Sequence, residues 1–250
     1  MEDSQEYKDK KAFFEKIITL YGRNVVVEIL QDKTIEIHKL HMSNSNKLDK
    51  NIKTILILAK QRGIEVTYHD KNNLSRISKN AKQDQGVAVD IISKTYLHVD
   101  EIKKLKNFKL IALDGIHNPQ NLGMIIRSCA GGYVDGIILP KKNSAKISPL
   151  VVKASAGTLF KLPIYFCNSL EDILPNIEAD IYALSLDAKE SLFELQLAKK
   201  SIFVLGNESD GVSKEVLKHC NKKLIIPMNR GVESLNVAVT ASLIAFNFKN

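Results

Sequence analysis

The chain has 250 residues, of which 44% are hydrophobic and 26% charged, and its formal net charge is +8. It is long enough to bury a proper core and exceeds the commonest size of a single domain, so two domains are expected. No apolar run approaches the roughly 20 residues that span a bilayer, and the lysine-rich start lacks the apolar stretch of a signal peptide, which predicts a soluble, cytoplasmic protein with no membrane partner.

Residues 1–11 are almost wholly polar and read as a mobile tail, with order starting near Ala12. Strand-like and helix-like runs then alternate. Residues 25–30 and 34–40 read as strands, 52–59 as a helix stopped by Gly63, and 64–68 as a strand. A small α/β unit, residues 12–92, closes near 87–91. Residues 93–107 are polar and lysine-rich, with Ile102 and Leu105 at helical spacing, and read as a linker or a short hinge helix. From Phe108 onward, buried strands at 110–113, 136–139, 181–186, 202–205 and 223–226 are separated by helical segments. Continuous apolar strands alternating with helices indicate a parallel sheet covered on both faces, over residues 108–250. The last segment, 235–246, is apolar on nearly every face. A helix of that kind is buried all round, and a second subunit completing the burial predicts a homodimer.

The positive charge suits a polyanionic partner, since lysine and arginine neutralise phosphates and release counterions. It is unevenly spread: residues 1–110 carry 21 basic and 15 acidic side chains (+6), and residues 111–250 carry 15 and 13 (+2). Cys129, Cys167 and Cys220 are odd in number and widely spaced, which fits neither a disulfide framework nor a zinc site and suggests a reducing compartment. His38 and His41 form the closest metal-like pair, but no cysteine or carboxylate completes a ligand set nearby, so no metal is expected.

Three strand-to-loop junctions carry the polar residues that suggest chemistry. The first is Asn118-Pro119-Gln120-Asn121-Leu122-Gly123-Met124-Ile125-Ile126-Arg127, which combines turn residues, a glycine bend and a charge set into an apolar helix. The second runs through Leu205, Gly206, Asn207, Glu208, Ser209, Asp210 and Gly211, and the third from Ile226, Pro227 and Met228 to Ser234, Leu235 and Asn236. Ligands of parallel sheets collect at the carboxyl ends of the strands, so three such loops suggest one site. The G-x-G-x-x-G, G-x-x-x-x-G-K-[ST] and G-x-S-x-G patterns are all absent, which argues against the common dinucleotide, P-loop and serine-hydrolase designs. Gly131 and Gly132 follow a helical segment and are better placed to end it than to open one. Each polar residue also has a plain structural reading. Arg127 could sit in an ion pair or aim its planar fork at a phosphate. Asn121 could cap a helix. Glu208 could be a turn carboxylate or touch substrate, Ser234 could cap the terminal helix, and Asn236 could bond back to the loop.

Together the three segments resemble the motifs of the SpoU/TrmH methyltransferases of the SPOUT superfamily. The resemblance rests on Asn121-Leu122-Gly123 with Arg127-Ser128, on Gly206-Asn207-Glu208 with Gly211, and on Ile226-Pro227-Met228 with Ser234-Leu235-Asn236-Val237; Lys153-Ala154-Ser155-Ala156-Gly157 also looks like a family segment. It runs from about Leu110 to the last residue. More loosely, Gly22-Arg23-Asn24-Val25 and Gln85-Gly86-Val87 resemble the ribosomal-protein-like RNA-binding domain often found at the front of this family.

The resemblance implies an α/β fold in which a C-terminal parallel sheet carries a deep trefoil knot, preceded by a small α/β domain that binds the RNA substrate. It implies S-adenosylmethionine as methyl donor, bent within the knot loops and surrounded by Leu205, Gly206, Asn207, Ile226, Met228, Ser234 and Leu235. A ribose hydroxyl is a poor nucleophile near neutral pH, so transfer needs a proton acceptor or an environment that stabilises the alkoxide. Arg127 is the family's candidate, read here as a phosphate anchor and electrostatic stabiliser because an arginine stays protonated. Asn121, Glu208, Ser234 and Asn236 then orient the ribose and support the loops, with the site beside a dimer interface. Two departures stand out: Tyr133 occupies a place where glycine is usual, and Asp84 one where histidine is frequent, which is expected to alter how the front domain meets RNA.

The expected activity is therefore methylation of a ribose 2′-hydroxyl in RNA, not DNA, with 23S ribosomal RNA and a guanosine favoured. A tRNA substrate is one alternative. A non-catalytic RNA-binding assembly factor is another, whose mark would be loss of the arginine, the glutamate or the serine–asparagine pair; all are present. An α/β enzyme acting on a small nucleotide would leave the positive charge of the front domain unexplained.

Overall fold

A computed structural model describes residues 13–14, 16–80, 83–207 and 209–247. The expected tail, its boundary near Ala12 and Glu208 lie outside the described residues. The chain divides into two compact units between Lys94 and Thr95.

In the first unit, strands β1 (Ile17–Tyr21), β2 (Glu36–Ser43), β3 (Val66–His69) and β4 (Val87–Ile92) form a sheet of order β1-β4-β2-β3, antiparallel except for the β2/β3 pair. Helices α1 (Arg23–Gln31), α2 (Lys50–Gln61) and α3 (Lys71–Ser78) accompany it. Residues 25–30, expected as a strand, belong to α1. Its buried residues are Val26, Ile29 and Leu30, so the 3, 4 spacing of burial prevails over the β-branched composition. Carbonyls that α1 leaves without helical partners are met by Arg62, whose guanidinium donates to the oxygens of Ile29 and Leu30 at 3.1 Å and also reaches Ile35 O, beyond the helix, at 2.6 Å. Asp49 caps α2 by accepting from Ile52 N at 2.9 Å, and Gly63, with φ 64°, ends it in the left-handed region. Asp84 is buried rather than turned toward a partner: its carboxylate accepts from Ser78 Oγ at 3.0 Å and from Gly86 N at 2.9 Å, which holds the turn into β4.

The second unit is built on an eight-stranded sheet in which every pair is parallel. Its strands are β5 (Tyr96–His98), β6 (Phe108–Leu113), β7 (Gly136–Pro140), β8 (Ile164–Cys167), β9 (Asp180–Leu184), β10 (Glu190–Ser191), β11 (Lys200–Leu205) and β12 (Lys222–Ile225), in the order β10-β12-β9-β11-β6-β7-β8-β5. Helices α4 (Pro119–Gly131), α5 (Pro149–Ala154), α6 (Leu170–Ile173) and α7 (Lys214–Leu217) lie between strands, and α8 (Val237–Asn247) follows β12. Residues 93–107 are not a linker. They contain β5, paired with β8, and a 3-10 helix (Val99–Lys104) that buries Ile102 completely while Lys103 and Lys104 pair with Asp100 and Glu101 on its outer side. The strand expected over 181–186 stops at Leu184, and Leu186 is exposed.

The direction of winding changes between β6 and β11: β7 and β8 follow β6 on one side, while β9 and β12 lie beyond β11 on the other. Outside the carboxyl ends of the strands at such a switch, adjoining loops part and leave a crevice. Helix α8 packs against α4 but is not buried all round within one chain: Ala238, Ala241 and Ala245 are buried, whereas Val239 is 43% and Phe246 54% exposed. Among the described residues no helix is long and apolar enough to cross a membrane.

Candidate active site

The first loop is tied to the second by main-chain and side-chain bonds of Asp114, just after β6. Its amide donates to Leu205 O at 2.8 Å and its carboxylate accepts from Ser213 N at 2.7 Å. Helix α4 then opens on Asn118, whose Oδ1 accepts from Gln120 N at 2.8 Å, with Pro119 at a position that needs no amide donor. Asn118 is thus the cap. Asn121 is buried in the first turn, and its Oδ1 accepts a hydrogen bond of 3.2 Å from Asn236 Nδ2. Asn236 Oδ1 accepts in turn from Ala238 N at 2.8 Å, so Asn236, and not Ser234, caps α8. One side chain therefore starts the last helix and joins the third loop to the first.

Gly123 lies inside α4 and makes no bend there. A Cβ at this position would stand 2.5 Å from Ala154 Cβ and 2.8 Å from Val151 O, so the glycine is what lets α5 lie against α4. At the other end of α4, Gly132 ends the helix against α8: Tyr133 N donates to Ala245 O at 2.7 Å, and Ser242 Oγ to Ser128 Oγ at 2.7 Å. Tyr133 is accommodated through its backbone, with its side chain exposed. Arg127 is exposed, and among the described residues it pairs with no carboxylate, so the ion-pair reading is not realised.

The second loop turns back tightly on itself. Asn207 Oδ1 accepts from Ser209 N at 2.8 Å and Asp210 N at 2.7 Å, and Gly211 N donates to Asn207 O at 3.1 Å. A Cβ on Gly206 would coincide with the backbone of Gly211 and Val212, which leaves glycine as the only residue that fits without the turn moving. Glu208, within this turn, is outside the described residues.

Beside this turn is a cavity of about 280 Å³. All seven residues expected around the donor line it: Leu205, Gly206, Asn207, Ile226, Met228, Ser234 and Leu235. It is also lined by Leu184, Ser185 and Leu186, from the end of β9, and by Thr240 of α8, none of which the sequence pointed to. The adjacency of β9 and β11 brings the first three there, and only the strand order could have revealed it. The walls are mainly aliphatic, with polar groups at a few points, the composition of a site for a small organic ligand. The free cysteines do not contribute a nucleophile. Burial pushes the Cys129 thiol well up, and with nearby carboxylates it raises Cys167 to about 12 and Cys220 to about 11, so thiolates are scarce near neutral pH.

Comparisons with known proteins agree with this architecture. The family model described as SpoU rRNA Methylase family matches residues 109–246, and that described as RNA 2′-O ribose methyltransferase substrate binding matches residues 19–97. A 23S rRNA (guanosine-2′-O-)-methyltransferase RlmB of Xylella fastidiosa is 31% identical over 235 residues, covering 91% of this chain and 94% of the relative. That of Neisseria meningitidis serogroup B is 30% identical, covering 90% and 92%. Among solved structures, the SpoU methyltransferase AviRb of Streptomyces viridochromogenes, in complex with AdoMet, superposes with a TM-score of 0.66 at 18% identity, covering 98% of this chain and 92% of that one. With one model spanning more than half of its length and relatives matching it nearly end to end, the chain belongs to the SpoU rRNA methylase family.

Proposed function

We propose that the protein transfers the methyl group of S-adenosylmethionine to the ribose 2′-hydroxyl of a guanosine in 23S ribosomal RNA. The observation that carries this reading is the Asn236–Asn121 bond, which ties the loop lining the 280 Å³ cavity to the helix bearing an exposed Arg127 that pairs with no carboxylate among the described residues. The two relatives named as 23S rRNA guanosine methyltransferases, matched along nine-tenths of this chain, support the choice of acceptor.

The cavity suits the donor. Gly206 has no room for a side chain, so backbone groups border the space, while Ile226, Met228 and Leu235 supply apolar walls and Asn207 and Ser234 polar groups. When bound, S-adenosylmethionine supplies an electrophilic methyl group on a sulfonium. Arg127 anchors a phosphate of the RNA and stabilises the negative charge that develops on the 2′-oxygen as its proton passes to solvent water; the O–CH3 bond would form as the methyl–sulfur bond breaks, leaving a neutral thioether. Asn121 and Asn236 hold α4 and α8 in fixed relation, so that Arg127 meets its phosphate without rearrangement. Ser234 and Glu208 orient the ribose. Residues 12–92 bind the substrate RNA, and the exposed apolar side of α8 meets a second subunit. The insertion of β11 between β6 and β9, with α8 returning from β12 onto α4, supports a deep trefoil knot in the second unit. Ribosomal RNA as acceptor supports a cytoplasmic location.

The test is incubation with labelled S-adenosylmethionine and total bacterial RNA, followed by digestion to nucleosides. Label in 2′-O-methylguanosine from 23S RNA is the expected result. Label confined to tRNA would overturn the acceptor, and failure to bind the donor would favour a non-catalytic assembly factor.

A further inference from the structure

We infer that the loop between β7 and α5, residues 141–148, is an RNA contact on the second unit, in which Lys142 and Lys146 hold backbone phosphates flanking the nucleotide offered to Arg127. The inference rests on the reading of RNA as substrate and adds where the second unit grips it.

The first observation is charge. From residue 115 to 169 the chain carries six basic side chains (Arg127, Lys141, Lys142, Lys146, Lys153 and Lys161) and one acidic, Asp135, so 6 − 1 = +5. Residues 170–250 carry nine basic and eleven acidic, or −2. The small net charge of the second half thus hides a basic segment offset by an acidic one. Placement sharpens the contrast. Asp135 precedes β7 at the amino edge of the sheet, where its carboxylate accepts from Lys109 N at 2.7 Å. The strand carries the chain to the opposite edge, and residues 141–148 emerge at the carboxyl ends, where the candidate site lies.

The second observation is that the loop is pinned. Lys141 N donates to Cys167 O at 2.8 Å, and Ala145 is buried with its amide donating to Ile116 O at 2.7 Å, in the turn leading to α4. Asn143 takes the left-handed region between them, with φ 54°. Beyond the loop, α5 presses against Gly123, one turn before Arg127. Lys142 and Lys146 therefore project from a backbone fixed to the same elements that place Arg127. Both are exposed, and among the described residues neither pairs with a carboxylate. Like charges held together repel one another, and a polyanion laid across them offsets that cost while releasing its counterions.

The experiment is filter binding of the full-length protein to a 23S rRNA transcript over a series of salt concentrations. The K142A/K146A variant should bind about tenfold more weakly near 0.1 M salt, and its log–log salt slope should be shallower by about 1.4, at roughly 0.7 per contact for single strands. Replacing both lysines by arginine should restore the slope. The control is K161A/K199A, which removes the same charge from exposed positions just before β8 and β11, at the amino edge, and should lose no more than about twofold. Equal losses in the two pairs, or none in K142A/K146A, would overturn the inference. Methyl transfer is scored separately: a wild-type protein that binds RNA without methylating it refutes the proposed reaction, and the comparison of lysine pairs still decides the loop.

Discussion

Arg127 is the only charged residue of α4, and it faces solvent without a carboxylate partner among the described residues. Its replacement should therefore leave folding nearly untouched and strike the reaction. Arg127→Ala is expected to lower kcat by about 10²–10³, the usual loss for one preorganised stabilising donor, with the affinity for S-adenosylmethionine unchanged in calorimetry. Arg127→Lys should recover little, because a compact ammonium cannot reproduce the two-pronged contact. If donor binding fell in step with kcat, the arginine would be structural. Gly206 poses the opposite case. An alanine there drives its Cβ into the backbone of Gly211, so the turn must open; destabilisation of about 1–3 kcal/mol and at least a tenfold loss of donor affinity are expected from thermal melts and titration. That Gly206 would border a cavity was legible in the motif. The reason was not, because it depends on Gly211 folding back through bonds to Asn207, a contact that no periodicity encodes.

At the scale of elements, Asn236 serves two helices, and its two roles can be separated. Asn236→Ser keeps a side-chain acceptor for the start of α8 but removes the reach to Asn121, whereas Asn236→Ala removes both; melts should find the alanine variant less stable by about 1 kcal/mol and the serine variant close to wild type. Both should be slow enzymes if the link between α4 and α8 positions Arg127, and a fully active serine variant would refute that role. The first unit holds a different network, in which His41 bonds to both Asp90 and His69, and Thr19 to Asp90. Burial pushes the Asp90 carboxyl up, but the bonds from His41 and Thr19 outweigh it and leave the group below 3.8. Burial and the charges of His41 and Lys39 hold His69 below 6.5, against the opposing pull of Asp70. The unfolded chain thus takes up a proton at His69 first as pH falls through 6.5, and at Asp90 as it falls through 3.8, so stability declines in both windows. Hydrogen-exchange protection of β3 and β4 should drop between pH 7 and 5, and His69→Asn should flatten that drop. Neither this network nor α1 was legible in the sequence. A run of valines reads as strand until the burial of Val26, Ile29 and Leu30 fixes its period, and residues 93–107 read as a linker or hinge helix because their lysines mask the scattered side chains, Tyr96, Val99 and Ile102, that anchor them. The long apolar strands β6, β7 and β11 were legible because burial on both faces leaves little room for polar residues.

For the whole molecule, the feature that matters most is the side of α8 that no described residue covers. Val239 and Phe246 are about half exposed, and with Phe193 and Leu243 they border a recess of about 380 Å³. Burying the exposed half of each side chain contributes about 1 kcal/mol, so roughly 4 kcal/mol when two copies meet through the same face. Association costs about 4–15 kcal/mol in lost freedom, so these four side chains alone only approach balance and the rest of the interface must supply the surplus. A charge at their centre should then suffice to tip the equilibrium. Sedimentation at micromolar concentration is expected to give a dimer for the wild type and a monomer for Val239→Glu, with the melting temperature of the first unit unchanged. The variant should also lose donor affinity, since Thr240, next in the chain, lines the cavity proposed for the donor and any movement of α8 is felt there. A monomeric wild type would refute the proposed dimer. A monomeric variant that still binds donor and methylates RNA normally would instead separate assembly from catalysis and leave each site complete within one chain.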